Sequence, residues 1–269
     1  MKPQWDCLLE NLGCWEGSFT PLDAEGQLLG EVPTTVHLRH PNSDPEAVRI
    51  TVTYHDGSRE PFDRQFRSLG RDMLLFDDGA FSFGSTQFGP FGDFGGEMGL
   101  RWGDRRLRLI HSYRDSQFQG LTLIREGLAG SAPAAPKLTL DDLLGVWEGT
   151  SETRWPDLRS PEIVEHRLEI RRQGDRLIQT LETAGRNLTF EADIEGDRLR
   201  YIASPQNAQL LLLGDGASCL APQMLTTRQP FRLEMGWRVG ANRRLRLSRN
   251  FDASGAWVSC TRVSESKTG

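Results

Sequence analysis

The sequence predicts an all-β protein built from two tandem antiparallel up-and-down barrels, each opened by a short helix. Three observations predict it. The phrase Gly-x-Trp-Glu-Gly occurs at Gly13–Gly17 and again at Gly145–Gly149, and RRLRL occurs at Arg105–Leu109 and again at Arg243–Leu247. The offsets, 145 − 13 = 132 and 243 − 105 = 138, make the two halves nearly collinear, the mark of a duplicated unit. Residues 163–203 alternate apolar and polar positions and are punctuated by Gly174-Asp175, Gly185-Arg186 and Gly196-Asp197. That spacing of about ten residues is the rhythm of a β meander. Finally, GLAGSAPAAPK (127–137) has no apolar periodicity and reads as a linker. The boundary falls near residue 132, giving domains 1–131 and 132–269.

Each element follows from its residues. Trp5, Leu8, Leu9 and Leu12 share one helical face ahead of the first Gly-x-Trp. Before the second, Thr139 can cap a turn of helix holding Leu140, Leu143 and Leu144. Both helices would plug a barrel end. A unit of about 130 residues accommodates eight to ten strands. A sheet of that size with one apolar face tends to close, and a barrel of about eight strands holds one small ligand. The stretch 76–100 carries Phe76, Phe81, Phe83, Phe88, Phe91 and Phe94, with glycine between most of them. Glycines make a poor regular strand, so this reads as a long loop, either a lid or, preferably, a cover for the seam between barrels. Near the end of each half lies a hairpin: WGDRRLRL from Trp102 and WRVGANRRLRL from Trp237. Their unequal lengths suggest unequal turns.

Composition excludes several classes. Hydrophobic residues are 37% and charged residues 26%, as in soluble globular proteins. No run of about 18 apolar residues exists, so no membrane span is expected. The N-terminus lacks a secretory pattern. The net charge of −5 argues against a nucleic-acid partner. Cys7, Cys14, Cys219 and Cys260 form no C-x-x-C pair and do not follow the repeat. They read as free thiols in a reducing, cytoplasmic compartment, with no metal site. The five histidines are scattered, and no nucleophile motif or phosphate loop is present.

A short helix, Gly-x-Trp on the first strand and a lone arginine on the last resemble the calycins: lipocalins, fatty-acid-binding proteins and their relatives. The resemblance implies that an arginine packs across the tryptophan at the closed end of each barrel, Trp15 with Arg125 and Trp147 with Arg262, by cation–π contact. In LEMGWRVGANRRLRLSRN (233–250), Glu234, Trp237, Asn242, Arg244 and Arg246 resemble the penultimate hairpin of S/U-type phycobiliprotein lyases. Those calycin-fold proteins deliver a linear tetrapyrrole to a cysteine of an acceptor protein. Met235 stands where the lyases usually have a basic residue. The two-barrel arrangement is similar to a family of unknown function found in cyanobacteria and plastids.

The resemblance implies a barrel that binds or carries a hydrophobic or tetrapyrrole-like molecule, with Glu234, Trp237, Arg244 and Arg246 as contacts in the second half. Trp102, Arg106 and Arg108 take the corresponding places in the first. No covalent cofactor and no catalytic residue are implied, and the partner would be a phycobiliprotein or another photosynthetic acceptor. A bilin lyase or pigment isomerase, and an interaction module with filled barrels, are the other readings. The residues leave the arginine geometry open. Arg244 and Arg246, about 6.6 Å apart on one face, would match two carboxylates if they point inward. If they face solvent, Leu245 and Leu247 enter the core. Trp237 either stacks on a ligand or fills core.

Overall fold

The computed structural model describes residues 2–57, 59–129, 136–204 and 206–268. The linker boundary expected near residue 132 lies outside the described residues. After α1 (Gln4–Leu9) come β1 (Gly13–Leu22), β2 (Val32–Arg39), β3 (Val48–Tyr54), β4 (Phe62–Phe66), β5 (Met73–Leu75), β6 (Phe81–Gly84), β7 (Asp93–Trp102), β8 (Arg105–Arg114) and β9 (Gln117–Leu128). The second unit has α2 (Leu140–Leu143), β10 (Gly145–Arg154), β11 (Glu162–Gln173), β12 (Arg176–Thr183), β13 (Arg186–Glu195) and β14 (Arg198–Tyr201). It ends with β15 (Ala208–Leu212), β16 (Ala217–Pro222), β17 (Phe231–Gly240), β18 (Arg243–Phe251) and β19 (Trp257–Thr268). All pairing is antiparallel between sequence neighbours, with β1 also pairing β9 and β10 pairing β19. The up-and-down meander and both short helices are present, and Thr139 caps α2 in a reciprocal capping box with Asp142.

The units differ in closure. The second is a closed barrel of ten strands, whereas the first is a nine-stranded sheet whose ends, β4 and β5, do not pair. Register alignment from the tryptophans places β4 beside β13 and β5 beside β15. The first unit therefore has no counterpart of β14.

The glycines of the repeated phrase have separate jobs. Gly13 (φ 150°) and Gly145 (φ 114°) turn the chain from helix into strand with a backbone that side chains rarely adopt. A Cβ on Gly17 would lie 1.7 Å from the Arg125 carbonyl oxygen, and one on Gly149 would lie 2.0 Å from that of Ser264. Only glycine lets the first and last strands of each unit approach this closely. The same reasoning corrects the expectation for the phenylalanine-rich stretch. Much of it is regular strand, β6 and β7, and its glycines make room: a Cβ on Gly99 would meet the Phe81 ring at 2.3 Å.

The largest apolar cluster lies not inside a barrel but between the two units. Met98, Leu100, Leu107 and Leu109 from the outer face of β7–β8 pack with Leu233, Met235, Leu245 and Leu247 from β17–β18. Phe88 and Phe94 join Phe231 and Phe251, whose rings stack at 4.6 Å. The phenylalanine-rich stretch thus contributes to the seam, as preferred. These strands are buried on both faces, so their outward residues are as apolar as those of an ordinary core.

Candidate functional site

At the closed end of each unit an indole is buried completely: Trp15 and Trp147 are both 0% exposed. Each donates its ring N–H to a helix-end carbonyl, Trp15 to Asn11 and Trp147 to Leu143, at 2.9 Å. A guanidinium covers each ring, Arg106 at 4.4 Å from Trp15 and Arg244 at 4.4 Å from Trp147. The closure itself is as expected, but the arginine comes from the penultimate strand, not the last. Arg125 and Arg262 are not the closing residues, and register explains why. Arg125 pairs with Ser18 and Arg262 with Glu152, residues an odd number of positions from their tryptophans and so on the opposite face of the sheet.

Above each indole sits a buried ion network. Arg106 and Arg108 both donate to Glu126, and Arg108 also donates to Glu97 at 2.6 Å. In the second barrel Arg244 and Arg246 share Glu265 at 2.7 Å each, and Arg246 reaches Glu234 at 3.2 Å. His166 approaches Glu265 at 3.7 Å. Burial alone would raise the Glu126 carboxyl, but the two guanidiniums outweigh it and hold the group down at about 2. Glu265 is likewise driven well below the ordinary carboxylate value: its burial is more than offset by Arg244 and Arg246. The arginines therefore point inward while their alternate leucines fill the seam. The two orientations posed as alternatives coexist, because the outer face of this hairpin is not solvent. The protein's own carboxylates occupy the guanidinium forks that a dicarboxylate ligand would need.

The tryptophans of the two hairpins do not correspond. Trp237 pairs with Leu245 and lies in the seam, donating to the Asp215 carbonyl at 3.1 Å, so it does not line the barrel with Arg244 and Arg246. Its counterpart is Leu100, which pairs with Leu107. Trp102 lies further along β7 and is 42% exposed. Both hairpins turn through two residues, Gly103-Asp104 and Ala241-Asn242, with a bulge in the second near Arg238–Gly240. The unequal turns expected from the sequence are thus not found. The register is visible in a third repeated phrase, Glu-Met-Gly at 97–99 and 234–236.

The seam carries its own reciprocal pairs. Arg105 lies 5.3 Å over Trp237, and Arg243 lies 5.6 Å over Trp102. Arg125 bonds Asp215 of the other unit at 2.9 Å, and Arg262 bonds Asp78. Arg249, fully buried, donates to Ser82 at 2.9 Å, while His111 meets Cys219 at 3.3 Å. Burial lowers the His111 imidazole to about 4. Asp78 and Asp215 sit in matching Asp-Gly-Ala turns, 78–80 and 215–217, a further repeat. The arginines expected to close their own barrels instead clamp the neighbouring unit.

Toward the open end the inner faces change character. Phe62 and Phe83 in the first unit are 39% and 41% exposed; Leu188 and Phe190 in the second are 42% and 39% exposed. A cavity of about 630 Å³ lies against β6–β8 of the first unit, touching Phe83, Gly95, Glu97, Ile110, Ser112 and Arg114. All four cysteines are free, and no cluster of metal-binding side chains occurs among the described residues. Among the described residues, no helix is long and apolar enough to cross a membrane.

Two tandem β-barrel units with arginine–glutamate floors, docked through a pseudo-twofold seam, define the class. The chain belongs to the DUF3598 family. The model of that family's N-terminal domain, of unknown function, matches residues 1–131, and the model described as "Biogenesis factor required for ATP synthase 1, C-terminal domain" matches 134–268. A protein of unknown function from this family in Nostoc punctiforme is 40% identical over 100% of both chains, with a TM-score of 0.94. An S-type phycobiliprotein lyase from Guillardia theta is 12% identical, covering 48% of this chain and 90% of its own, with a TM-score of 0.39. No curated protein matches the chain.

Proposed function

We propose that this protein binds and carries an apolar small molecule in the open upper part of a calycin-like barrel. The observation that supports the reading is the set of large apolar side chains left uncovered on inner faces, Phe62, Phe83, Leu188 and Phe190, above floors already filled by ion networks. The first-unit cavity is of the size that holds a small ligand. A linear tetrapyrrole bound without a covalent bond is the specific candidate, handed on to a photosynthetic acceptor protein in the cytoplasm. Arg246, at the edge of its floor, is the proposed partner for a propionate, in exchange for its contact with Glu234.

Neutral N-phenyl-1-naphthylamine should gain fluorescence on mixing with the protein, and the double variant Phe83→Asp/Phe190→Asp should lose that gain. A flat titration of the wild-type protein would defeat the reading. Phycocyanobilin tests the tetrapyrrole candidate: its visible spectrum should shift on mixing and shift less with Arg246→Ala. A second reading, a scaffold in the biogenesis of ATP synthase, is favoured by the family model over 134–268. It predicts less assembled ATP synthase on native gels from cells lacking the protein, whatever the probes show.

A further inference from the structure

The absence of a strand between β4 and β5 is the largest departure from the internal repeat. In the second barrel the matching place is held by β14, whose Leu199 is fully buried in the barrel core and whose Tyr201 reaches Gln179 at 3.0 Å. In the first unit residues 67–72 join β4 to β5 directly. The lower part of the opening is covered. Phe66 and Leu69 pack with α1, and the Gln4 side chain bonds both the N–H and the carbonyl of Leu75 at 2.8 and 3.0 Å, taking the place of a strand. Among the described residues, no helix or side-chain bond of this kind covers the upper part. Phe62 on the edge strand β4 and Phe83 on β6, one strand behind the other edge β5, both face the barrel interior and are 39% and 41% exposed.

Between Phe62 and Phe66, Arg64 also faces inward. It pairs with Ile50, a member of the first barrel's inner cluster, and its guanidinium lies 5.3 Å over the Phe62 ring. The inward arginines of both floors are ion-paired to glutamates. Arg64 has no carboxylate partner among the described residues. An exposed guanidinium on an aromatic ring, at the side of an opening lined by phenylalanine, suits a molecule with an apolar or aromatic body and a single negative charge. The two carboxylates that line the cavity, Asp93 and Glu97, are already ion-paired, with Arg114 and Arg108.

We infer that the missing-strand opening of the first barrel is a lateral ligand door that admits an apolar or aromatic anion, with Arg64 holding the charge and Phe62 and Phe83 the body. This rests on the ligand-carrying reading and names its site and ligand class.

The test uses two probes of similar body, anionic 8-anilinonaphthalene-1-sulfonate and neutral N-phenyl-1-naphthylamine, on the full chain. Arg64→Gln should weaken the anionic probe about tenfold, the worth of one charge-assisted hydrogen bond, and leave the neutral probe within about twofold. Phe83→Asp should weaken both, with far-UV circular dichroism confirming the fold. Equal affinity of wild type and Arg64→Gln for the anionic probe would overturn the inference. So would loss of both probes on Phe190→Asp alone, which would move the site to the second barrel and leave the ligand-carrying reading standing. Failure of both probes on the wild type would remove both proposals.

Discussion

The closed second barrel and the open first unit share a floor and differ in a wall. Both bury an indole beneath a guanidinium, both hang two arginines on one glutamate, and both use glycine where the first and last strands cross. Only the second has β14. The comparison teaches that the closure module does not need a complete ring of hydrogen bonds. In the first unit, α1 and the Gln4 side chain stand in for part of the missing strand.

The sharpest test of that equivalence removes the glutamate from each floor. Glu126→Ala and Glu265→Ala each leave two buried arginines without their shared carboxylate, and each should cost about 3–5 kcal/mol in urea unfolding. Similar losses would support one module in two settings. A large loss for Glu265 and none for Glu126 would show that the open unit relies on its helix instead.

Acid should separate floor from seam with an effect of order 3 kcal/mol per group. The folded Glu126 carboxyl sits at about 2 against an ordinary 4.5, so the native state binds fewer protons. Its contribution is fully present above 4.5 and is lost as pH falls toward 2. The folded His111 imidazole sits at about 4 against 6.5, so its contribution is present above 6.5 and is lost as pH falls through 4. Stability measured between pH 7 and 4.5 should therefore decline through the seam first, and His111→Gln should flatten that decline. An unchanged slope in the variant would count against the seam's role.

The smallest effect belongs to the reciprocal clamps. Arg125→Ala breaks two partly exposed ion pairs, with Asp215 and Glu31, and Arg262→Ala breaks one, with Asp78; at about 1 kcal/mol or less per pair both effects should be small. If the seam behaves as a pseudo-twofold unit, the two values should agree once Glu31→Gln has removed the additional partner of Arg125. A clear inequality would mean that the apolar packing, not the pairing, sets the geometry.

Much of the fold was legible in the residues. Repeated phrases showed two units, alternation and turn glycines showed the meander, and Thr139 announced its helix. The sites were legible only in part. Arg106, Arg108, Glu234, Arg244 and Arg246 were singled out, but Glu97, Glu126 and Glu265, which neutralise them, were not. A single glutamate in a strand carries no periodic signal until the strand across from it is known. The Glu-Met-Gly and Asp-Gly-Ala repeats were available and would have aligned Trp237 with Leu100 and paired the two turns.

What the sequence determined by itself was composition along each strand: which residues alternate, where the chain turns, and that the pattern occurs twice. Which face is inside was decided only by the tertiary structure. An alternation of arginine and leucine is symmetric under exchange of the two faces, and a local rule turns the leucines inward. Here the second unit supplies an apolar surface on the outside of the first, and carboxylates from the last strand supply an ionic one on the inside. Both surfaces come from residues far away in the chain, and their summed burial outweighs the preference of any single strand.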